Sequence, residues 1–264
     1  MSTFDLTVGK TVGVTFVNRA YRSQKHRKKH CRLFYLRCVK DILTNPVFNA
    51  LRSGDRHLSN GTETVKYFDE SVSPFIGIDD NYAKGFDDLR EFLPDKRRVL
   101  HATPEHISTP AGWNLKVKIE GVQMVFEGKQ LLPGTEFQPV QLLPEYVDEM
   151  VALAALTKPG PFDKRTIEFG SYHGFFYNNK LIAMTGQRLH PQPYTEVSAV
   201  CTHPDHLGKG FAYALVVHQT NLILNSNSTP FLHVRADNDR AIKLYERIGY
   251  KISRKMNFYF MERA

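Results

Sequence analysis

The stretch Ala199 to Ala214 reads AVCTHPDHLGKGFAYA, and its pattern decides how the rest of the chain is interpreted. A β-branched run leads into a loop with a proline, and a Gly-x-Gly-x-Ala segment then opens an apolar helix. Glycines let backbone N–H groups approach an anion closely, and a helix N-terminus adds unsatisfied donors and the positive end of its dipole. The stretch predicts a phosphate-binding turn, to which Lys209 adds a charge.

Two common nucleotide-binding motifs do not match this turn. A P-loop would need Gly-x-x-x-x-Gly-Lys followed by Ser or Thr, and the sequence does not contain it. A dinucleotide-binding fold would need a third glycine and then an acidic residue for the ribose, which are also missing here. Binding of ATP or NAD is therefore disfavoured.

The C-terminal half of the chain predicts a mixed α/β fold. Hydrophobic periodicity, proline positions and turn residues predict its elements in this order: a strand at Phe137–Leu142, a helix at Pro144–Thr157, strands at Ser171–Tyr177, Lys180–Leu189 and Tyr194–Thr202, a helix after Gly208, a strand from Pro230, a helix at Asp239–Ile248, and a last strand or pair from Tyr250 to Met261. The three consecutive strands are expected to form an antiparallel meander, because a tight Asn-Asn turn joins the first two.

The N-terminal half predicts a second, smaller α/β unit. A helix that includes NPVFNAL precedes a buried strand SPFIGI, a helix NYAKGFDDLREFL and a strand KRRVLHA. Residues Trp113 to Gly128 alternate between apolar and polar, with Gly121 as a predicted turn or bulge. Because Pro133 and Gly134 break the strand pattern, we divide the chain into a basic, weakly ordered extension (1–40), a smaller α/β domain (41–135) and a main domain (136–264).

The net charge of +8 is concentrated in one short segment. Arg19 to Arg37 contains eight Lys and Arg residues and no acidic residue, so the remainder of the chain sums to about zero. The segment is interpreted as a solvated extension, and contact with nucleic acid or an acidic partner is the alternative.

The cysteines and hydropathy favour a reducing, aqueous compartment. Cys31, Cys38 and Cys201 are odd in number and lack the paired spacing of a zinc site or a disulfide framework. No uninterrupted apolar stretch of about 18 residues and no signal-peptide core is found. We therefore expect a soluble cytoplasmic protein without membrane contact or a bound metal.

Two ordered motifs resemble the GNAT superfamily of N-acetyltransferases, and more closely a branch whose members carry an extra N-terminal domain. They are TEVSAVCTHPDHLGKGFA from Thr195 and PFLHVRADNDRAIKLYERIGY from Pro230, and the upstream PGPF and KLIAMTGQRL are also similar to that branch. NPVFNAL, SPFIGI and the strand ending in QMV look like the smaller N-terminal domain. The resemblance implies an α/β (α+β) fold with a mostly antiparallel sheet flanked by helices.

The resemblance also implies a site for acetyl-CoA or another acyl-CoA as co-substrate. The strand through Val200 and Thr202 would splay from the strand at Phe231 and expose backbone groups to the pantetheine arm. Further residues of this implied cofactor site are Leu207, Gly208, Lys209, Gly210, Phe211, Ala212 and Asn238. Leu207 is a departure, because the family usually has Arg or Gln there.

Acyl transfer to an amine needs a deprotonated amine and a protonated leaving thiolate. Tyr245 matches the family's thiolate-protonating tyrosine, and Asn238 would contact CoA or cap the following helix. Glu196 is the predicted general base because it shares a strand face with Ser198 and Val200. His203 and a water relay are the alternatives, and Arg188 and His190 line the acceptor entrance or only make the strand end polar.

Three functions follow from these observations. The first is an N-acyltransferase acting on a primary amine of a small molecule or peptide. The second is a CoA or acyl-CoA sensor without transfer activity, motivated by Leu207 and the uncertain base. The third is a nucleic-acid-associated protein that binds through Arg19 to Arg37.

Overall fold

The computed structural model describes residues 42–128 and 132–264. The basic segment Arg19 to Arg37 and the predicted extension therefore lie outside the described residues. Five α-helices are present in the described part: α1 (Pro46–Arg52), α2 (Gly85–Phe92), α3 (Val147–Thr157), α4 (Phe211–Asn225) and α5 (Asp239–Ile248). Four short 3₁₀ helices lie at Arg56–Leu58, Pro144–Tyr146, Thr166–Phe169 and Pro204–His206.

The strands form a mixed sheet that is mostly antiparallel, as expected for the fold that the two motifs imply. They are β1 (Asn60–Gly61), β2 (Val65–Tyr67), β3 (Phe75–Ile78), β4 (Arg98–Thr103), β5 (Trp113–Phe126), β6 (Val140–Gln141), β7 (His173–Tyr177), β8 (Lys180–Gln187), β9 (Tyr194–Thr202), β10 (Thr229–Arg235) and β11 (Tyr250–Arg263). Their order in the sheet is β1-β2-β3-β4-β11-β5-β10-β9-β8-β7-β6. Among these strands only β3–β4 and β9–β10 pair in parallel.

Helix α1 covers most of the predicted NPVFNAL segment and begins at Pro46. Pro46 occupies the first turn, and the Asn45 side-chain oxygen accepts a hydrogen bond from the Phe48 backbone N–H. The buried face of α1 lies directly on β3, where a Cβ at Gly77 would come within 2.5 Å of the Phe48 Cα. A glycine is therefore required for this close approach of helix and strand.

Strand β5 runs unbroken through Gly121, so the predicted turn or bulge at that residue is wrong. Gly121 pairs with Met256 on one side and with Arg235 on the other. A Cβ at this position would lie 2.8 Å from the Phe258 ring and 2.9 Å from the Val234 carbonyl oxygen. The glycine is explained by close packing within a continuous strand.

Strand β5 also ties the N-terminal segment to the C-terminal one. It lies between β10 and β11, and it contributes Val122, Met124 and Phe126 to a core that includes residues of α4, α5 and β10. Burying each such side chain contributes about 1.5–3 kcal/mol. The domain boundary near residue 135 stays a prediction, while the strands on both sides of it belong to one sheet.

The meander β7–β8–β9 is antiparallel, as predicted, and α4 packs against β8 and β9. The predicted strand at Phe137–Leu142 is reduced to the two residues of β6. Within residues 42–128 and 132–264, no helix is long and apolar enough to cross a membrane.

Candidate functional site

A cleft opens where the parallel strands β9 and β10 separate. The two strands pair only from Tyr194–Thr229 to Glu196–Phe231. Beyond Glu196, β9 stays paired with β8, and β10 stays paired with β5. The gap has a volume of about 770 Å³, which is in the range of small-molecule sites, and Val197 to Thr202 of β9 line it.

A bulge turns the middle of β9 toward this cleft. The β8–β9 register shifts between the pairs Met184–Cys201 and Gly186–Ser198. Within the bulge Ala199 has a φ of 53°, a left-handed conformation that costs an alanine about 1–2 kcal/mol. Neither glycine nor asparagine stands at this position, so the sequence did not predict the bulge.

The glycine turn borders the same cleft. Gly208 and Gly210 have φ values of 79° and 84°, and no atom lies within 4 Å of the Cβ position at Gly208. Helix α4 follows directly, so its free N–H groups point out of the turn. The predicted cofactor residues Val200, Thr202, Leu207, Gly208, Gly210, Phe211 and Ala212 all line the cleft, whereas Lys209 does not.

The charge of the cleft has one sign. Its lining contains six Lys or Arg residues and, among the described residues, no Asp or Glu: the cations are Lys158, Arg188, Arg235, Arg240, Lys243 and Arg247. Four of them form no ion pair in the described part of the chain, because only Arg188 and Arg235 have acidic partners. Such a surface favours an anionic ligand.

Three of these cations stand on one face of α5. Arg240, Lys243 and Arg247 have the i, i+3, i+7 spacing that places side chains in a row along a helix. The Arg247 guanidinium also lies 5.0 Å from the centre of the Tyr213 ring on α4. The helical spacing was visible in the sequence, so this row could have been predicted and was missed.

Tyr245 lies on the wall of the cleft, on α5. The side chain is 7% exposed, and its ring packs edge-on against Tyr250 with ring centres 6.1 Å apart. Burial raises its pKa to about 12, so the hydroxyl keeps its proton at neutral pH. This placement suits a hydrogen-bond donor toward a group bound in the cleft.

Asn238 caps α5, as the sequence suggested, and it also lines the cleft. Its side-chain oxygen caps α5 by accepting a hydrogen bond of 3.1 Å from the Ala241 backbone N–H. The residue also lines the cleft beside the Arg240 position. Capping and ligand contact are therefore compatible at this residue.

Glu196 is fully buried and does not line the cleft. The Arg188 guanidinium binds both carboxylate oxygens, at 2.6 and 2.8 Å, and His233 Nδ1 lies 2.7 Å from one of them. Burial alone would raise the Glu196 pKa, but the charge and hydrogen bonds of Arg188, with His233, outweigh it and lower the pKa to about 2. A carboxylate held in this way accepts protons poorly.

The structure also places His203, the predicted alternative to Glu196, and His190, a predicted residue of the acceptor entrance that does not line the cleft. His203 lies outside the cleft lining, where its Nδ1 accepts a hydrogen bond from the Asp205 backbone N–H. His190 Nδ1 lies 2.7 Å from the Asp55 carboxylate. The cleft histidine near Glu196 is His233, which no sequence pattern singles out.

His233 connects Glu196 to the buried side of the sheet. Its Nε2 lies 3.0 Å from the Gln123 side-chain nitrogen, which also donates a hydrogen bond to the Leu43 carbonyl oxygen. The two contacts assign the ring proton to Nδ1, where it is donated to Glu196. His233 is therefore held in one orientation at the deep end of the cleft.

A parallel strand pair that opens beside a glycine turn, with a buried tyrosine on the cleft wall, is the arrangement that the two sequence motifs predict. The FR47-like protein family model matches residues 172–259, which contain this region. No curated protein sequence matches the chain.

Solved structures share this architecture. A Novosphingobium aromaticivorans structure assigned to acetyltransferases of the GNAT family is 28% identical, with a TM-score of 0.78, and the match covers 84% of this chain and 99% of that one. A GCN5-related N-acetyltransferase from Kribbella flavida has the same fold, at 14% identity, a TM-score of 0.56 and coverage of 82% and 95%. The family-model match and the Novosphingobium structure support membership of the GNAT superfamily.

Proposed function

We propose that the protein is an N-acyltransferase that transfers an acyl group from acetyl-CoA or another short acyl-CoA directly to a primary amine in a ternary complex. The cleft itself supports this proposal most strongly. A glycine turn at a helix N-terminus lies on one side of it, and Lys and Arg side chains line its wall. Among the residues that the structure describes, no Asp or Glu lines the cleft. The amine would belong to a small molecule or a peptide. The sequence favours a cytoplasmic location for this reaction.

The residues present fit an acyl-CoA. Gly208 leaves open space beside the backbone N–H groups of the turn, which suits a pyrophosphate. The unpaired edge of β9, from Val197 to Thr202, offers backbone groups to an extended amide-bearing arm. The row formed by Arg240, Lys243 and Arg247 would attract the remaining phosphate charge. When bound, the thioester supplies an activated acyl group.

Tyr245 is proposed to donate its proton, or a strong hydrogen bond, to the leaving thiolate. A phenol with a pKa of about 12 is a weaker acid than a typical thiol with a pKa of about 8.5. Hydrogen bonding that strengthens as negative charge develops on sulfur is therefore the favoured role, rather than complete proton transfer at an early stage.

Deprotonation of the amine is assigned to a water relay, one of the three alternatives that the sequence suggested together with Glu196 and His203. Glu196 has both oxygens bound by Arg188, and its lowered pKa makes it a weak base. Its role as a direct base remains a prediction that the geometry does not favour. Glu196 is better suited to hold Arg188 and His233 in position at the deep end of the cleft.

Calorimetric titration with acetyl-CoA and CoA, combined with a thiol-release assay on pooled amines, tests the proposal. Tyr245→Phe is expected to lower kcat by about 10²–10⁴-fold and to leave the Kd for CoA within about twofold. Tyr250→Phe is the matched control, because Tyr250 is also buried but its hydroxyl bonds to Thr220 and it does not line the cleft.

Other outcomes of this experiment identify other functions. Binding of CoA without thiol release from any amine would indicate the sensor, which Leu207 in the turn motivates. No binding of CoA would refute both ideas. Equal activity of Tyr245→Phe and the unmodified protein would leave the transferase but remove Tyr245 from its mechanism.

A further inference from the structure

The cleft has an apolar floor formed by strands β3, β4, β5 and β11. Five side chains of these strands line the cleft and make up what we call the apolar floor: Phe75, Leu100, Ile119, Phe258 and Phe260. None of them belongs to the two motifs from which the acyl-CoA cleft was predicted, so this surface needs its own explanation.

Strand register shows that the floor is one continuous face. Phe75 pairs with Leu100, and Leu100 pairs in turn with Phe260 across β3, β4 and β11. Phe258, two residues before Phe260 and thus on the same face, pairs with Ile119. The floor therefore extends across neighbouring strands as a single surface.

The chemistry around the floor excludes a positively charged ligand group. Arg188 lies beside it, with its guanidinium 4.8 Å from the centre of the Phe75 ring. The buried Glu196 is fully engaged by Arg188 and His233, and no described carboxylate lines the cleft. A second ammonium group on the ligand would lose its hydration here without gaining a counter-ion.

From this geometry we infer that the acceptor is an amine with an apolar body and no second positive charge. This inference rests on the proposed function and specifies its substrate class. The apolar body lies on the floor, and the single amine points toward the splay point near His233. The C–N bond forms there while the C–S bond of the thioester breaks, the amine proton leaves through water, and the thiolate takes a proton. Polyamines and lysine-rich peptides are excluded as good acceptors.

Hexylamine and hexane-1,6-diamine are a matched pair for the test, because they differ only in the second amine. Thiol release from acetyl-CoA is measured for each, with a reaction lacking amine as the blank. We expect kcat/KM for hexylamine to exceed that for the diamine by about tenfold or more, as expected for an ammonium left without a partner. Equal rates, or a preference for the diamine, would overturn the inference.

Ile119→Glu places a carboxylate on the half-buried edge of the floor and is expected to reduce or reverse this preference by favouring the diamine. Ile252→Glu is the control, since Ile252 is exposed on β11 and does not line the cleft. It should keep the wild-type preference. A shift of the same size in both variants would contradict the inference.

Phe260→Ala tests whether the acceptor amine or the acyl chain of the acyl-CoA lies on the apolar floor. We expect it to lower kcat/KM for hexylamine and to leave the ratio of hexanoyl-CoA to acetyl-CoA rates unchanged. A change in that ratio with an unchanged amine preference would place the acyl chain on the floor and overturn the inference. Calorimetric binding of CoA without thiol release from any amine would instead refute the proposed function, and the inference with it.

Discussion

Replacing Glu196 by Gln should destabilise the protein strongly, because it leaves Arg188 buried without its counter-charge. The carboxylate is 0% exposed and the guanidinium side chain 12% exposed, so water can replace little of what is lost. Gln keeps the shape of the side chain, which limits any change in packing. The expected effect is therefore electrostatic.

Two estimates of the magnitude agree. Breaking a buried ion pair by removing one partner costs about 3–5 kcal/mol. A fall of the Glu196 pKa from 4.5 to about 2 corresponds to about 3 kcal/mol, at about 1.4 kcal/mol for each pH unit. We expect Glu196→Gln to lower the free energy of unfolding at pH 7.5 by about 3 kcal/mol.

Urea denaturation followed by circular dichroism measures this difference. Glu168→Gln is the control, because Glu168 also binds an arginine through two hydrogen bonds, to Arg165, but on the exposed surface. Exposed pairs contribute about 0–1 kcal/mol, so that variant should remain close to the unmodified protein. Similar small losses in both variants would refute the conclusion that burial makes the Glu196 pair important.

The pH dependence has a defined sign. Because the folded-state pKa of Glu196 is depressed, its contribution to stability is complete above pH 4.5 and is lost as pH falls toward 2. The difference in unfolding free energy between the unmodified protein and Glu196→Gln should therefore narrow between pH 4.5 and 2. A difference that widens in this range would contradict the assignment.

Three other substitutions or reactions test separate features. Asn238→Ala should lower the free energy of unfolding by about 0.5–2 kcal/mol, because it removes the cap of α5. Asn238→Asp keeps the cap but should raise the Kd for CoA, because it adds a negative charge to the cleft. Gly77→Ala should lower the melting temperature markedly, since its Cβ would clash with the Phe48 backbone, and Gly134→Ala, with open space around it, should not. As the sole cysteine of a variant, Cys201 should react slowly with a thiol reagent at pH 8 and rapidly in urea, because burial raises its pKa to about 11.

Much of the fold could be predicted where local signals are strong. β9 and α5 have the predicted bounds, since an apolar run, an Asn cap and a terminal glycine mark their ends. Gly121 was misread, because an isolated glycine in a strand pattern marks either a bulge or a close approach, and only the neighbouring Phe258 decides between them.

The candidate site was predictable only in part, because some of its contacts join residues that are far apart in the sequence. Residues of the glycine turn and Tyr245 are adjacent to recognisable motifs, and the structure brings them to one cleft. Glu196 shares a strand face with Ser198 and Val200, but strand alternation gives no information about its partner. Arg188 and His233 reach Glu196 through strand pairing, which links residues far apart in sequence and leaves no local pattern.

The position of β11 between β4 and β5 has a consequence for how the protein is made. Strands β4 (98–103) and β5 (113–126) are close in sequence, yet each pairs with β11 (250–263), which lies between them in the sheet. A ribosome-bound chain that ends at Ile248 would carry two hydrophobic strands with a missing partner between them. Such open edges attract other chains, so the nascent protein is expected to depend on chaperone protection until β11 emerges.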